Sequence, residues 1–133
     1  MPNRRRKVLV VDNARAIAVM LAMVLEHRGH ETATAFSGEE AVQVASLFQP
    51  DCIVSELMMG EMSGLEAAFE ILNMLPQCKV LFISGTVPPQ DLLEPAIAKG
   101  FNFDVLLKPV PLPELLSRVS QMFLDSFDQT AGR

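Results

Sequence analysis

The sequence predicts an α/β fold, a five-stranded parallel sheet with helices on both faces. Two observations predict it. Five short runs rich in β-branched and aliphatic residues alternate with helical patterns from residue 7 to residue 125. The strongest of these runs, KVLVV (7–11), is apolar without interruption, as a strand covered on both faces has to be. An alternating order of this kind builds an open sheet with helices against each face, and right-handed crossovers make its strands parallel.

The elements follow in order. After KVLVV, residues 14–28 read as a helix whose stripe of Ile17, Met20, Leu21, Val24 and Leu25 faces the sheet, with Gly29 as its stop. ETATAF (31–36) is partly polar, which suits an edge strand. Ser37 and Glu40 have capping-box spacing before the second helix, AVQVASLF. CIVSE (52–56) is the third strand. Ser63 and Glu66 repeat the capping-box spacing before AAFEILNML, a helix that buries Leu65, Ala68, Phe69 and Leu72. KVLFIS (79–84) is the fourth strand. The fourth helix, in PPQDLLEPAIAKG, contains Pro95, which removes a hydrogen bond and crowds the turn before it. It is expected to be short, kinked, or to begin only near Pro95. FDVLLK (103–108) is the fifth strand, and the last helix has Pro113 at its first position with Leu115, Leu116, Val119, Met122 and Phe123 inward. The domain therefore covers 7–125, preceded by a basic arm (1–6) expected to be solvated and followed by a polar tail (126–133) expected to fray.

Composition narrows the function classes. The chain has 133 residues, half of them hydrophobic and a fifth charged, which is enough to bury a core and far from a disordered composition. A net charge of −5 disfavours nucleic acid or an anionic membrane as the main partner. No apolar run approaches the roughly 18 residues of a membrane span, and KVLVVD meets an acid too early for a signal-peptide core. Cys52 and Cys78 lack metal-ligand spacing and read as reduced, buried thiols of a cytoplasmic protein.

In open α/β sheets, functional side chains gather at the carboxyl ends of the strands. Those ends carry Asp12 and Asn13 after the first strand, Glu56 after the third, Ser84 after the fourth and Lys108 after the fifth. Acids there suit a hard cation such as magnesium, and a hydroxyl with a lysine suits the oxygens of a phosphoryl group. Each residue also has a plainer reading. Asp12 and Asn13 also read as helix caps, Ser84 with Gly85 as a turn, and Lys108 as a solvated strand end. Lys108-Pro109 invites a cis peptide, although trans is the default expectation.

VLVVDN, PDCIVSELMMGEMSG, VLFISGT and LLKPV, in this order and spacing, resemble the receiver domain of two-component response regulators over roughly residues 7–125. The resemblance implies a doubly wound, flavodoxin-like sheet of order 2-1-3-4-5. It also implies a module that takes a phosphoryl group from a histidine kinase onto an aspartate, with magnesium, and then changes its surface for a partner. The implied metal set is Asp12, Asn13, Glu56 and the backbone carbonyl of Met58, with Ser84 and Lys108 supporting the phosphoryl group.

The departures from the pattern fall where the chemistry should be. Asn13 stands where the family has a second acid, Glu56 where it has the phosphoacceptor aspartate, Gly60 and Glu61 where it has Pro-Gly, and Val105 where it has the aromatic switch residue. A neutral amide weakens cation binding. Glutamate displaces the carboxylate by about 1.5 Å, an error that can cost on the order of a hundredfold in rate. The expectation is therefore a pseudo-receiver: not an enzyme beyond a residual self-phosphotransfer, requiring no cofactor, with magnesium binding weakened. Glu56 and Lys108 would form either a structural ion pair or, since the carboxylate partly imitates an acyl phosphate, a locked active mimic. The alternative is a competent phospho-receiver. A flavodoxin-like domain binding a small anion is a third reading, weakened because no Gly-rich phosphate loop follows the first strand.

Binding must then carry the function. The first helix presents Val19, Ala22 and Met23 beside its inward stripe, either as a protein contact or as a broad core face. By analogy with the family, a second surface would include Val87, Leu92, Leu93 and Val105. The expected partner is a protein, whether a histidine kinase, a phosphotransfer protein, an output protein or a second copy, and not nucleic acid or membrane.

Overall fold

The structure, a computed structural model, describes residues 5–85 and 90–131, with Gln90, Asp91 and 125–131 described in their backbone alone. Ten elements alternate along the chain: β1 Lys7–Val11, α1 Arg15–His27, β2 Glu31–Ala35, α2 Gly38–Phe48, β3 Cys52–Glu56, α3 Gly64–Met74, β4 Lys79–Ser84, α4 Gln90–Ala98, β5 Asp104–Leu107 and α5 Leu112–Ala131. The strands form one sheet in the order β2-β1-β3-β4-β5, and each neighbouring pair is parallel.

The continuous apolar strands now have their reason. Successive residues of a strand point to opposite faces. Val8 and Val10 join Cys52, Val54, Leu81 and Ile83 beneath α1 and α5, whereas Leu9 and Val11 join Ile53, Val80 and Phe82 beneath α2, α3 and α4. Each face is a core of its own. β2, paired only on one side, is the half-buried edge its polar residues predicted.

Helix starts follow the capping chemistry. The Ser63 hydroxyl accepts from the Glu66 N–H at 3.1 Å and Glu66 returns the bond to the Ser63 N–H at 2.9 Å, a complete capping box. At α2 only half of it forms. Ser37 accepts from the Glu40 N–H, but the Glu40 carboxylate takes the N–H of Phe36, one residue earlier.

Several expectations are corrected. The sheet-facing stripe of α1 is Ala18, Leu21, Ala22 and Leu25, while Ile17 and Met20 are 38% and 42% exposed. The helix is apolar on most sides, so spacing alone admits two stripes one residue apart. The alanines win because they let the helix lie close to the strands. α4 is short, but it starts at Gln90 and carries Pro95 in its interior. α5 does not give way to a fraying tail at Asp125 and continues to Ala131. At the end of the basic arm the exposed Arg5 donates to the carbonyls of Gly29 and His30, and the exposed Arg6 lies 5.1 Å over the Phe123 ring. Both cysteines are free and buried, and burial pushes their thiols up, that of Cys78 to about 12. Among the described residues no helix is long and apolar enough to cross a membrane.

Candidate functional site

Strand register builds the site. Val11 lies level with Ser55, Glu56 with Ile83, and Ser84 with Leu107, so the carboxyl ends of β1, β3, β4 and β5 finish together. The ladder runs one residue further through Leu57 N–H to Ile83 carbonyl and Lys108 N–H to Ser84 carbonyl. Asp12, Glu56 and Ser84 are thereby held at 1%, 9% and 0% exposure around one point. The Lys108 side chain reaches across Gly85, where a Cβ would come within 3.9 Å of its Cδ.

Charge organises this point. The Lys108 Nζ donates to Glu56 Oε1 at 2.6 Å and stands 3.5 Å from Asp12 Oδ2, so one ammonium serves two buried carboxylates. Burial by itself would lower the Lys108 pKa. The hydrogen bond donated to Glu56 and the charges of Asp12 and Glu56 outweigh it, and the amine is held above its ordinary value. Asp12 Oδ1 accepts the Ala14 N–H at 2.8 Å. The second oxygens, Asp12 Oδ2 and Glu56 Oε2, are buried without a hydrogen-bond donor.

The other predicted residues are placed less centrally. Asn13 is exposed and does not cap α1, whose N-cap is Ala14 without a side-chain bond. The side chain of Met58 is 53% exposed, and it is Met59 that packs inward. Lys108-Pro109 is cis, against the default expectation of trans. Val19 and Met23 are exposed, at 41% and 62%, but Ala22 is buried and belongs to the core rather than to a contact strip. Leu92, Leu93 and Val105 are half-buried against the sheet, and Val87 lies outside the described residues. In place of an aromatic at 105, Phe103 packs edge-on to Phe82 at 5.2 Å and stacks on Phe101 at 5.1 Å.

Sequence reasoning missed Gly64. A Cβ there would fall 2.1 Å from the Glu56 carbonyl oxygen, so only glycine lets α3 begin against the end of β3. The Gly64 N–H bonds the Leu57 carbonyl and closes the loop that follows Glu56.

The magnesium implied by the sequence resemblance finds a poor donor set. Among the described residues no three His, Cys, Asp or Glu side chains converge for a metal. The two carboxylates that do converge already hold an ammonium between them, and the third position is the exposed, neutral Asn13. The site as built does not fit a divalent cation that demands octahedral oxygen ligands.

The comparisons with known proteins agree with the topology. The family model for the response regulator receiver domain matches residues 8–120. The chain belongs to the response-regulator receiver domains. The chemotaxis protein CheY of Thermotoga maritima is 32% identical over 120 residues, covering 87% of this receiver and 98% of that protein. The probable transcriptional regulatory protein TcrX of Mycobacterium tuberculosis is 30% identical over 112 residues, and the receiver spans 47% of its length. Among solved structures, a Vibrio cholerae chemotaxis protein of the CheY type superposes with a TM-score of 0.78 at 26% identity, over 90% of this receiver and 99% of that chain. The five-stranded order found here is the CheY-like one, and two-component signalling is the setting of the receiver.

Proposed function

We propose that this receiver works without phosphorylation, as a protein-interaction module of two-component signalling in the cytoplasm. The observation that carries the reading is Glu56, which occupies the strand end where the family's phosphoacceptor aspartate belongs and is hydrogen-bonded to Lys108 at 2.6 Å. The amine that would neutralise a transferred phosphoryl group is thus already engaged, and the longer side chain fills the space in which that group would form. The module has no catalytic step of its own. Its partner is a protein, with a histidine kinase, a phosphotransfer protein or an output protein as the classes the family supplies. Val19 and Met23 on α1 are exposed apolar positions available to it.

The test is incubation with magnesium and acetyl phosphate, followed by intact-mass measurement. No adduct is expected, and a stoichiometric gain of one phosphoryl group at Glu56 would overturn the reading in favour of a competent receiver. The double variant Glu56→Asp with Asn13→Asp should recover labelling, because it restores both acids on an otherwise intact scaffold. Glu56→Gln separates a structural pair from a locked mimic. Unchanged partner binding means that the charge is structural, and loss of binding means that it is read as a signal.

A further inference from the structure

We propose that the Lys108 ammonium is the resident cation of this site and keeps divalent metal out of it. The inference deepens the phosphorylation-independent reading and rests on the same centre, but it concerns metal and not phosphoryl transfer. Three observations support it. First, the ammonium touches both buried carboxylates, at 2.6 Å to Glu56 and 3.5 Å to Asp12, so a metal seated on them would have to displace it.

Second, the competition is intramolecular. Lys108 is anchored by its backbone bond to Ser84, and a tethered group acts at an effective concentration of about millimolar or above. Free magnesium has to match that while surrendering water it releases reluctantly. Third, the charge count leaves too little to attract it. Asp12 and Glu56 supply two negative charges and Lys108 one positive, with Asn13 adding none, so the centre offers a divalent ion a net single negative charge while the ammonium stays. The result ties the ends of β1, β3 and β5 to one internal cation, whatever the metal concentration around the protein.

The same geometry says what removing the ammonium does. Asp12 Oδ2 and Glu56 Oε2 have no hydrogen-bond donor, and without Lys108 two buried carboxylates would face each other uncompensated. A metal should then become their best partner. The experiment follows backbone amide shifts of Asp12, Asn13, Glu56 and Met58 during magnesium titration, with no phosphodonor present, for the wild type and for Lys108→Met and Lys108→Gln. The wild type should show no saturable shift up to millimolar magnesium. Both variants should gain saturable shifts, with a dissociation constant lower by about tenfold or more, and magnesium should raise their Tm but not that of the wild type.

Saturation of the wild-type site at millimolar magnesium overturns the proposal, as does a folded variant that binds magnesium no better than the wild type. If neither variant folds, the wild-type titration alone decides. A wild type that takes magnesium but no phosphoryl group from acetyl phosphate sinks this inference and leaves the phosphorylation-independent reading intact. Labelling by acetyl phosphate in a protein that shows no saturable magnesium shift does the reverse.

Discussion

At the scale of single residues, Glu56 and Gly64 define the centre from two sides. Glu56 was legible in the sequence, because strand order alone put it at a carboxyl end beside Asp12, Ser84 and Lys108. Its partner was legible too, since lysine is the only cation at those ends. Gly64 was not, because a close approach of backbone to backbone leaves no pattern of types or spacing. With the Glu56 carbonyl 2.1 Å from where its Cβ would be, Gly64→Ala must shift α3 or break the loop bond to Leu57. We expect a loss of about 3 kcal/mol, the upper range for overpacking, read as a lower urea midpoint at unchanged slope. A midpoint within error of the wild type would mean that the loop accommodates the methyl.

At the scale of elements, local signals were read well where one residue type answers one need. Ser63 and Glu66 announced α3, and both bonds of the capping box form. Ser63→Ala should cost about 1 kcal/mol, measured by chemical denaturation. Ser37→Ala should cost a similar amount, because the serine half of the box is present at α2 even though Glu40 turns to Phe36. Local signals failed where several residues answered the same need. α1 offers apolar residues on most of its circumference, and the choice of Ala18, Leu21, Ala22 and Leu25 is made by how closely the helix can approach β1 and β3. The polarity beyond Asp125 likewise predicted a tail, although the Ser, Asp, Gln, Thr and Ala residues there cost little enough for a helix to be carried on from a well-packed start.

At the scale of the whole molecule, the residues just before β1 pack against the turn after α1 and against α5. Arg5 bonds the carbonyls of Gly29 and His30, Arg6 lies over Phe123 of α5, and the His30 ring sits 5.8 Å from the same phenylalanine. Partial burial, and then the charge of Arg5, lower the His30 pKa. A histidine depressed in the folded state binds its proton more readily when unfolded. Stability is therefore full above the ordinary histidine pKa of about 6.5 and declines as pH falls through the window between that value and the lowered one. His30→Gln should remove this part of the slope, seen as a smaller difference in Tm between neutral and mildly acidic buffer than the wild type shows. An identical pH dependence in the two proteins would mean that the ring gains no protection from its contacts with Arg5 and Phe123.

What the sequence determined by itself was the alternation of five strands and five helices, the parallel sheet, and the identity of the residues at its carboxyl edge. Each of these depends on short-range patterning, apolar runs and caps, which survives in a one-dimensional string. The tertiary structure decided which face of α1 is buried, how far α5 runs, that Lys108-Pro109 is cis, and that one ammonium spans Asp12 and Glu56. Those outcomes depend on distances between groups up to 96 residues apart in the chain, Asp12 and Lys108 being numbered so. Such distances exist only once the sheet has brought its strand ends together.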